Sequence, residues 1–189
     1  MTSIYTKEHR AFIIPPAKPA VRTLRVGLFG CGVVGSGVAK ILSSKRNEFR
    51  RHFNTDVIIE KICVKDVDKE RDSQLGSNLL TSNAEELLDD RSIDVIIEVI
   101  GGYDDAKNII LRALRKGKSV ITANKFLLSS DIELLRRTAK ANNVQLLYAA
   151  SVCGSVPVLR SVDELRQQDT IKSIRGIVNG STNFILTLL

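Results

Sequence analysis

Leu24–Leu42 reads LRVGLFGCGVVGSGVAKIL. A short apolar run, Leu24 to Phe29, meets three glycines, Gly30, Gly32 and Gly35. A segment of helical period follows at once, with Val34, Val38, Ile41 and Leu42 expected on one face. The order is strand, tight turn, helix. Glycines let backbone come close to a ligand, and the start of a helix offers free N–H groups and a partial positive charge. The spacing suits a dinucleotide pyrophosphate. The first glycine makes the turn, the second admits the phosphates and the third lets helix and strand pack. The competing reading of the same glycines is a tight structural turn.

The pattern extends outward from this unit. Val57–Val64 (VIIEKICV) is a second strand candidate, and Ile93–Ile100 (IDVIIEVI) is a continuous apolar run, as expected of a strand buried on both faces. Ala84–Leu88 reads as a short helix. Asp104 is expected to cap the next helix, in which Ala106, Ile109, Ile110, Ala113 and Leu114 repeat at helical spacing and Gly117 marks the end. Ser119–Thr122 reads as a strand. Ser130 and Glu133 suggest a capping box for a helix running to about Asn142, and Val144–Tyr148 is another strand. Strands alternating with helices of this length predict an α/β fold, a Rossmann-type doubly wound parallel sheet, over residues 24–150. Residues 1–23 read as a flexible basic leader. Residues 151–189 read as the truncated start of a second, α+β domain. There Val158–Arg166 is expected to be helical, Ile171–Val178 a strand, Asn179–Asn183 (NGSTN) a polar turn and Phe184–Leu189 the opening of an apolar helix.

Composition narrows the function. The chain has 189 residues, 43% of them apolar, and a formal charge of +7. No apolar run is long enough to span a membrane. Part of the positive charge lies in the first 25 residues, with Lys7, Arg10, Lys18, Arg22 and Arg25 against Glu8, beside Pro15, Pro16 and Pro19. An organelle transit peptide is the sharper reading of that segment, but it lacks an amphipathic helix. With no Trp and few aromatics among the basic residues, a nucleic-acid face is disfavoured. Cys31, Cys63 and Cys153 are odd in number and lack a CxxC spacing, which argues for reduced thiols, a cytoplasmic location and no zinc site. His9 and His52 fall in the leader and at a helix end, so histidine is not the obvious acid or base.

Three further places carry chemistry. The second strand ends Val64-Lys65-Asp66, followed by Lys69 and Arg71. A basic residue there meets the 2′-phosphate of NADP and an acid meets the 2′-hydroxyl of NAD. Lys65 favours NADP and Asp66 keeps NAD open; a solvated charged loop is the bland alternative. Thr122-Ala123-Asn124-Lys125 lies at the carboxyl end of a strand, the edge where ligands bind in open α/β sheets. Lys125 there can hold a cofactor or a carboxylate as a point charge. Gly101 and Gly102 end another strand at the same edge and would let backbone pass close to a cofactor.

These residues resemble the homoserine dehydrogenases. The likeness lies in GLFGCGVVGSGV at Gly27–Val38, in DVIIEVIGG and GKSVITANK across Asp94–Lys125, and in ASVCGSVPVLR followed by GIVNGSTNFIL. The resemblance implies hydride transfer between NAD(P)H and L-aspartate 4-semialdehyde, giving L-homoserine for threonine and methionine synthesis, and a homodimer. With no aspartate kinase domain before the glycine loop, it implies the monofunctional type. It assigns Gly30, Gly32, Val33, Val34 and Gly35 to the pyrophosphate, Lys65 to the 2′-phosphate, and Lys125 to the nicotinamide and substrate. Gly180, Ser181, Thr182 and Asn183 would close the active site. The family's structural monovalent cation would fall on carbonyls of Val152, Gly154 and Val156, but Ala149 stands where the family usually has Glu. The family's substrate-binding acids and proton-donating lysine lie beyond Leu189. The expectation is therefore a cofactor-binding part of the enzyme, weak in turnover by itself. The alternatives are another NAD(P)-dependent oxidoreductase or a non-catalytic NAD(P)-sensing module.

Overall fold

Six strands form one sheet: β1 (Arg22–Phe29), β2 (Thr55–Cys63), β3 (Leu80–Thr81), β4 (Val95–Glu98), β5 (Ser119–Thr122) and β6 (Leu146–Leu147). Their order is β3-β2-β1-β4-β5-β6 and every pairing is parallel. The chain thus starts in the middle of the sheet, winds to one edge, crosses back over β1 and winds to the other. The computed structural model describes residues 20–69, 76–154, 156–177 and 179–188. Most of the expected leader, together with Arg71 and Leu189, lies outside them. β1 begins at Arg22, within the last two residues of that segment.

Strand alternation sends side chains to two faces. Val26, Leu28, Ile62 and Ile97 bury on one, covered by α1 (Val33–Ser44) through Val38, Ala39 and Leu42. Phe29, Ile96 and Val120 bury on the other, against α3 (Glu85–Leu88), α4 (Asp104–Arg115) and α5 (Lys125–Ala141). Among the described residues the first face is covered only in part. Beyond α1 a groove of about 1120 Å³, lined by Leu24, Val95, Ile97, Ile121 and Leu147 among others, runs toward the amino-terminal ends of the strands. It lies at the opposite end from the glycine turn.

Several elements differ from expectation. The buried line of α1 is Gly35 and Ala39 with Val38 and Leu42 packed beside them, whereas Val34 and Ile41 are exposed. The fully apolar period could not tell a core stripe from an exposed one. A separate helix, α2 (Arg46–Phe53), follows α1 and is fastened to β2 by Arg46, which donates to both carboxylate oxygens of Asp56 at 2.5 and 2.8 Å. Asp104 is not the cap of α4; Tyr103 holds that position without a side-chain bond, and Asp104 and Asp105 fill the first turn. Gly117 does end that helix, with φ of +76°. α5 starts six residues earlier than the capping box implied. Asn124 is its cap, and Ser130 lies inside it, donating to the Phe126 carbonyl. Val158–Gln168 forms helix α6 as expected. The strand expected at Ile171–Val178 is absent over residues 171–177, and the NGSTN segment is not a free turn, since α7 (Gly180–Leu188) begins inside it.

Candidate functional site

Parallel pairing brings the carboxyl ends of β1, β2, β4 and β5 to one edge, so the segments that follow them adjoin. The glycine turn sits at the centre. Gly30 has φ of +100°, and a Cβ there would lie 2.8 Å from the Val99 carbonyl oxygen, so the turn after β1 presses on the turn after β4. The Gly30 N–H donates to the Cys63 carbonyl at 2.9 Å, which ties the same turn to the end of β2. A Cβ on Gly35 would collide with the Gly30 carbonyl, so the third glycine lets the helix seat against the loop. Gly32 is different: apart from its chain neighbours, no atom of the described residues lies within 4 Å of its added Cβ. It is the N-cap of α1, with no side-chain capping bond and no acid in the first turn. The leading N–H groups of a helix have no partner within it. Here they face open space, flanked by Val33 (95% exposed) and Val34. Among the described residues nothing fills or neutralises this helix start, which suits an anionic group.

Lys65 stands just past β2, with its side chain 91% exposed and 3.7 Å from Asp105. An ion pair that wet contributes little, and it leaves the ammonium able to meet another anion. Asp66 is committed locally: one carboxylate oxygen accepts the N–H groups of Asp68 at 2.9 Å and Lys69 at 3.2 Å. Burial, with the Glu86 charge nearby, raises the Cys63 thiol above its ordinary value, so this cysteine behaves as an inert core residue.

Gly101 and Gly102, with φ of +70° and +74°, form an open turn after β4, and nothing lies within 4 Å of a Cβ on either. Lys125 opens α5 two residues beyond Ala123, exposed at the same edge. Between these turns lies a buried polar cluster that the reading of the sequence missed. Glu98 is fully buried at the end of β4, beside Thr122 on β5. Its carboxylate accepts the N–H of Ile100 at 2.9 Å and of Gly101 at 3.3 Å, and the Thr122 hydroxyl at 2.6 Å. The Asn124 side chain donates to the Gly102 carbonyl at 2.8 Å and accepts the Leu127 N–H at 3.1 Å. The one available signal was the acid Glu98 inside the apolar stretch Val95–Ile100, which a buried strand does not carry without partners.

The structure does not pack Gly180 and Asn183 against this edge. Both are exposed, and α7 has no extensive interface with another element among the described residues. The carbonyls named for a cation lie in an irregular segment around Gly154. The Val156 carbonyl already accepts the Val158 N–H at 2.8 Å, and Ala149 offers no charge. No group of three or more acidic, Cys or His side chains suited to a metal occurs among the described residues.

Residues 30–149 match the model of the homoserine dehydrogenase NAD-binding domain, and residues 157–189 match that of homoserine dehydrogenase itself. The chain belongs to the homoserine dehydrogenase family. It is 42% identical over 167 residues to the homoserine dehydrogenase of Bacillus subtilis, covering 88% of this chain and 39% of that protein. It is 36% identical over 171 residues to that of Corynebacterium glutamicum, covering 90% and 38%. The crystal structure of the homoserine dehydrogenase from Thiobacillus denitrificans superposes with a TM-score of 0.79 at 32% identity, over 88% of this chain and 38% of that one. The chain therefore spans about two fifths of the length of these relatives. Within the family the glycine turn and open helix start belong to a nicotinamide-dinucleotide-binding domain.

Proposed function

We propose that this chain is the cofactor-holding part of a homoserine dehydrogenase, in which a nicotinamide dinucleotide exchanges hydride with L-homoserine and L-aspartate 4-semialdehyde. The observation that carries the reading is the uncapped, acid-free start of α1 behind Gly32, open to solvent where a pyrophosphate fits. Gly30, Gly32, Val33, Val34 and Gly35 would hold the pyrophosphate, and Gly101 and Gly102 the nicotinamide side. Lys125 would attract the substrate at the same edge. When bound, the cofactor supplies the hydride acceptor or donor; the chain's own residues bind and orient it. Gly180, Ser181, Thr182 and Asn183 are assigned to closure of the site, residues 151–189 to the start of the second domain, and the assembly to a homodimer.

The finer reading is a preference for NADP. Lys65 supports it, because its ammonium is exposed and only loosely paired, while Asp66 already accepts two backbone N–H groups. Titration of the purified chain with NADPH and NADH, followed by nicotinamide fluorescence, tests both levels. Lys65→Glu sets a carboxylate against the 2′-phosphate and is expected to weaken NADPH binding about tenfold while leaving NADH within about twofold. Equal losses would remove Lys65 from the phosphate site. No binding of either dinucleotide would overturn the reading as a whole.

A further inference from the structure

Lys125 and the Gly101–Gly102 turn come from different strands, and the path joining them is a closed ring of hydrogen bonds. Glu98 holds the N–H groups of Ile100 and Gly101 on one side and the Thr122 hydroxyl on the other. The Thr122 oxygen accepts the Asn124 N–H at 3.0 Å, and the Asn124 side chain returns to the Gly102 carbonyl. Outside the ring, the Ser151 hydroxyl donates to the Thr122 carbonyl at 3.0 Å. Glu98, Thr122, Asn124 and Ser151 are all buried, and no buried side-chain polar atom among the described residues lacks a partner.

Such a ring is more than a set of loop bonds. A carboxylate only accepts, so Glu98 must draw its donors from its surroundings, and it draws them from two different turns. Each donor turned away would leave part of a buried acceptor unmet. Neither turn can shift without breaking a bond to the other, and Lys125 follows Asn124 directly. Two glycines in left-handed conformation would otherwise be among the most mobile residues at this edge.

We propose that Glu98 and Thr122 are a positioning pair that locks the Gly101–Gly102 turn and the Lys125 helix start into one rigid rim for the dinucleotide. The inference rests on the cofactor reading above, but the coupling of the two turns is a property of the protein alone and is measurable without a ligand.

The test uses Thr122→Val, which keeps the branched shape and removes the hydroxyl, and Thr122→Ser, which restores it. Glu98→Gln serves as a second variant; it keeps one acceptor oxygen and the volume but places a donor against Thr122. Amide hydrogen exchange is followed over 99–103 and 123–127 in the full 189-residue chain, and NADPH and NADH dissociation constants are measured by fluorescence. Ile110→Val, in the core under α4, controls for general loss of stability. Thr122→Val or Glu98→Gln is expected to speed exchange at both turns about tenfold and to weaken both dinucleotides about equally, by about tenfold. Thr122→Ser returns all of these to within about twofold, and Ile110→Val does not reproduce the pattern. Faster exchange confined to 123–127 in Thr122→Val would overturn the coupling. Coupled exchange with unchanged dissociation constants would overturn the role toward the cofactor. If the unmodified chain binds neither dinucleotide, the cofactor reading fails and that role fails with it, while the exchange pattern still decides the coupling.

Discussion

At the scale of single residues, the three glycines of the turn do different work, and substitution separates them. Gly35→Ala drives a methyl into the Gly30 carbonyl, so the cost is about 1–3 kcal/mol, and binding is lost together with stability. Gly32→Ala meets no protein atom within 4 Å. It is expected to cost no more than about 1 kcal/mol, the difference between the two residues at an N-cap, while abolishing dinucleotide binding. Thermal melts paired with fluorescence titration decide this; a Gly32→Ala chain that still binds would show that the open space is not the pyrophosphate seat. Lys125 is exposed and opens a helix, so Lys125→Ala should change stability by less than about 0.5 kcal/mol. In a protein that joins this segment to the remainder of the family's length, the same change is expected to lower homoserine-dependent NADP reduction about a hundredfold or more. Near-normal turnover would make Lys125 a helix-entry residue and nothing else.

At the scale of elements, α5 shows how a cap is chosen. Ser130 with Glu133 had the right spacing for a start, but Asn124 lies where β5 ends, and its amide can serve the Leu127 N–H and the Gly102 carbonyl together. Asn124→Ala removes both bonds, so a loss of about 2–3 kcal/mol is expected, seen as a melting temperature lower by roughly 5–10 °C. A drop below about 2 °C would mean that water replaces the amide at little cost. Helices α4 and α5 are clasped by Asp131, which accepts from the Tyr103 hydroxyl and, at 2.9 Å, from the Lys107 ammonium. The hydrogen bond from Tyr103, then that from Lys107, holds the Asp131 carboxyl below the ordinary carboxylate value. A lowered native value means that this contribution is fully present above the unfolded value, about pH 4, and is lost as pH falls through the native one. The urea midpoint of the wild type should therefore exceed that of Asp131→Asn at pH 7, and the two should converge at about pH 2. A gap that persists in acid would show that the clasp acts by shape and not by charge. The missing strand at 171–177 teaches the complementary lesson. Ile171, Ile174 and Ile177 supply apolar side chains, but a strand exists only when its backbone finds a neighbouring edge, and none pairs with it among the described residues.

At the scale of the whole molecule, all buried apolar side chains among the described residues fall between Val26 and Ala139. Helix α6 buries none of its side chains, and Phe184, Ile185, Leu186 and Leu188 of α7 are exposed. A chain shortened after Gly154 should therefore melt within about 2 °C of the full one. It should also bind dinucleotide unchanged, since the glycine turn, Lys65 and the Glu98 ring all precede that point. Bound ligand adds stability by mass action, about 2.7 kcal/mol at a hundred times the dissociation constant, so saturating NADPH should raise the melting temperature by roughly 5–10 °C. No shift in either chain would overturn the dinucleotide site; a shift in the longer chain alone would give residues 155–189 a part in it.

The sequence by itself determined the sheet, the glycine turn and the family. Apolar runs of strand length alternating with helical periods admit few arrangements, and a glycine whose Cβ would strike backbone is visible as a glycine. It also placed Lys65 and Lys125 at strand ends, because a parallel sheet collects such ends on one edge. What it left to the tertiary structure were choices between partners. Val34 and Ile41 look like Val38 and Leu42 in any hydropathy pattern, and only the position of the sheet decides which are covered. Asn124 and Ser130 are both capable caps, and the Gly102 carbonyl, from another strand, selects the first. Glu98 is one acid in an apolar run; the two turns that meet its carboxylate are brought together only when β4 and β5 lie side by side. Local periodicity is written in the chain, whereas a hydrogen bond between residues 24 apart, such as Thr122 to Glu98, exists only once the fold has made them neighbours.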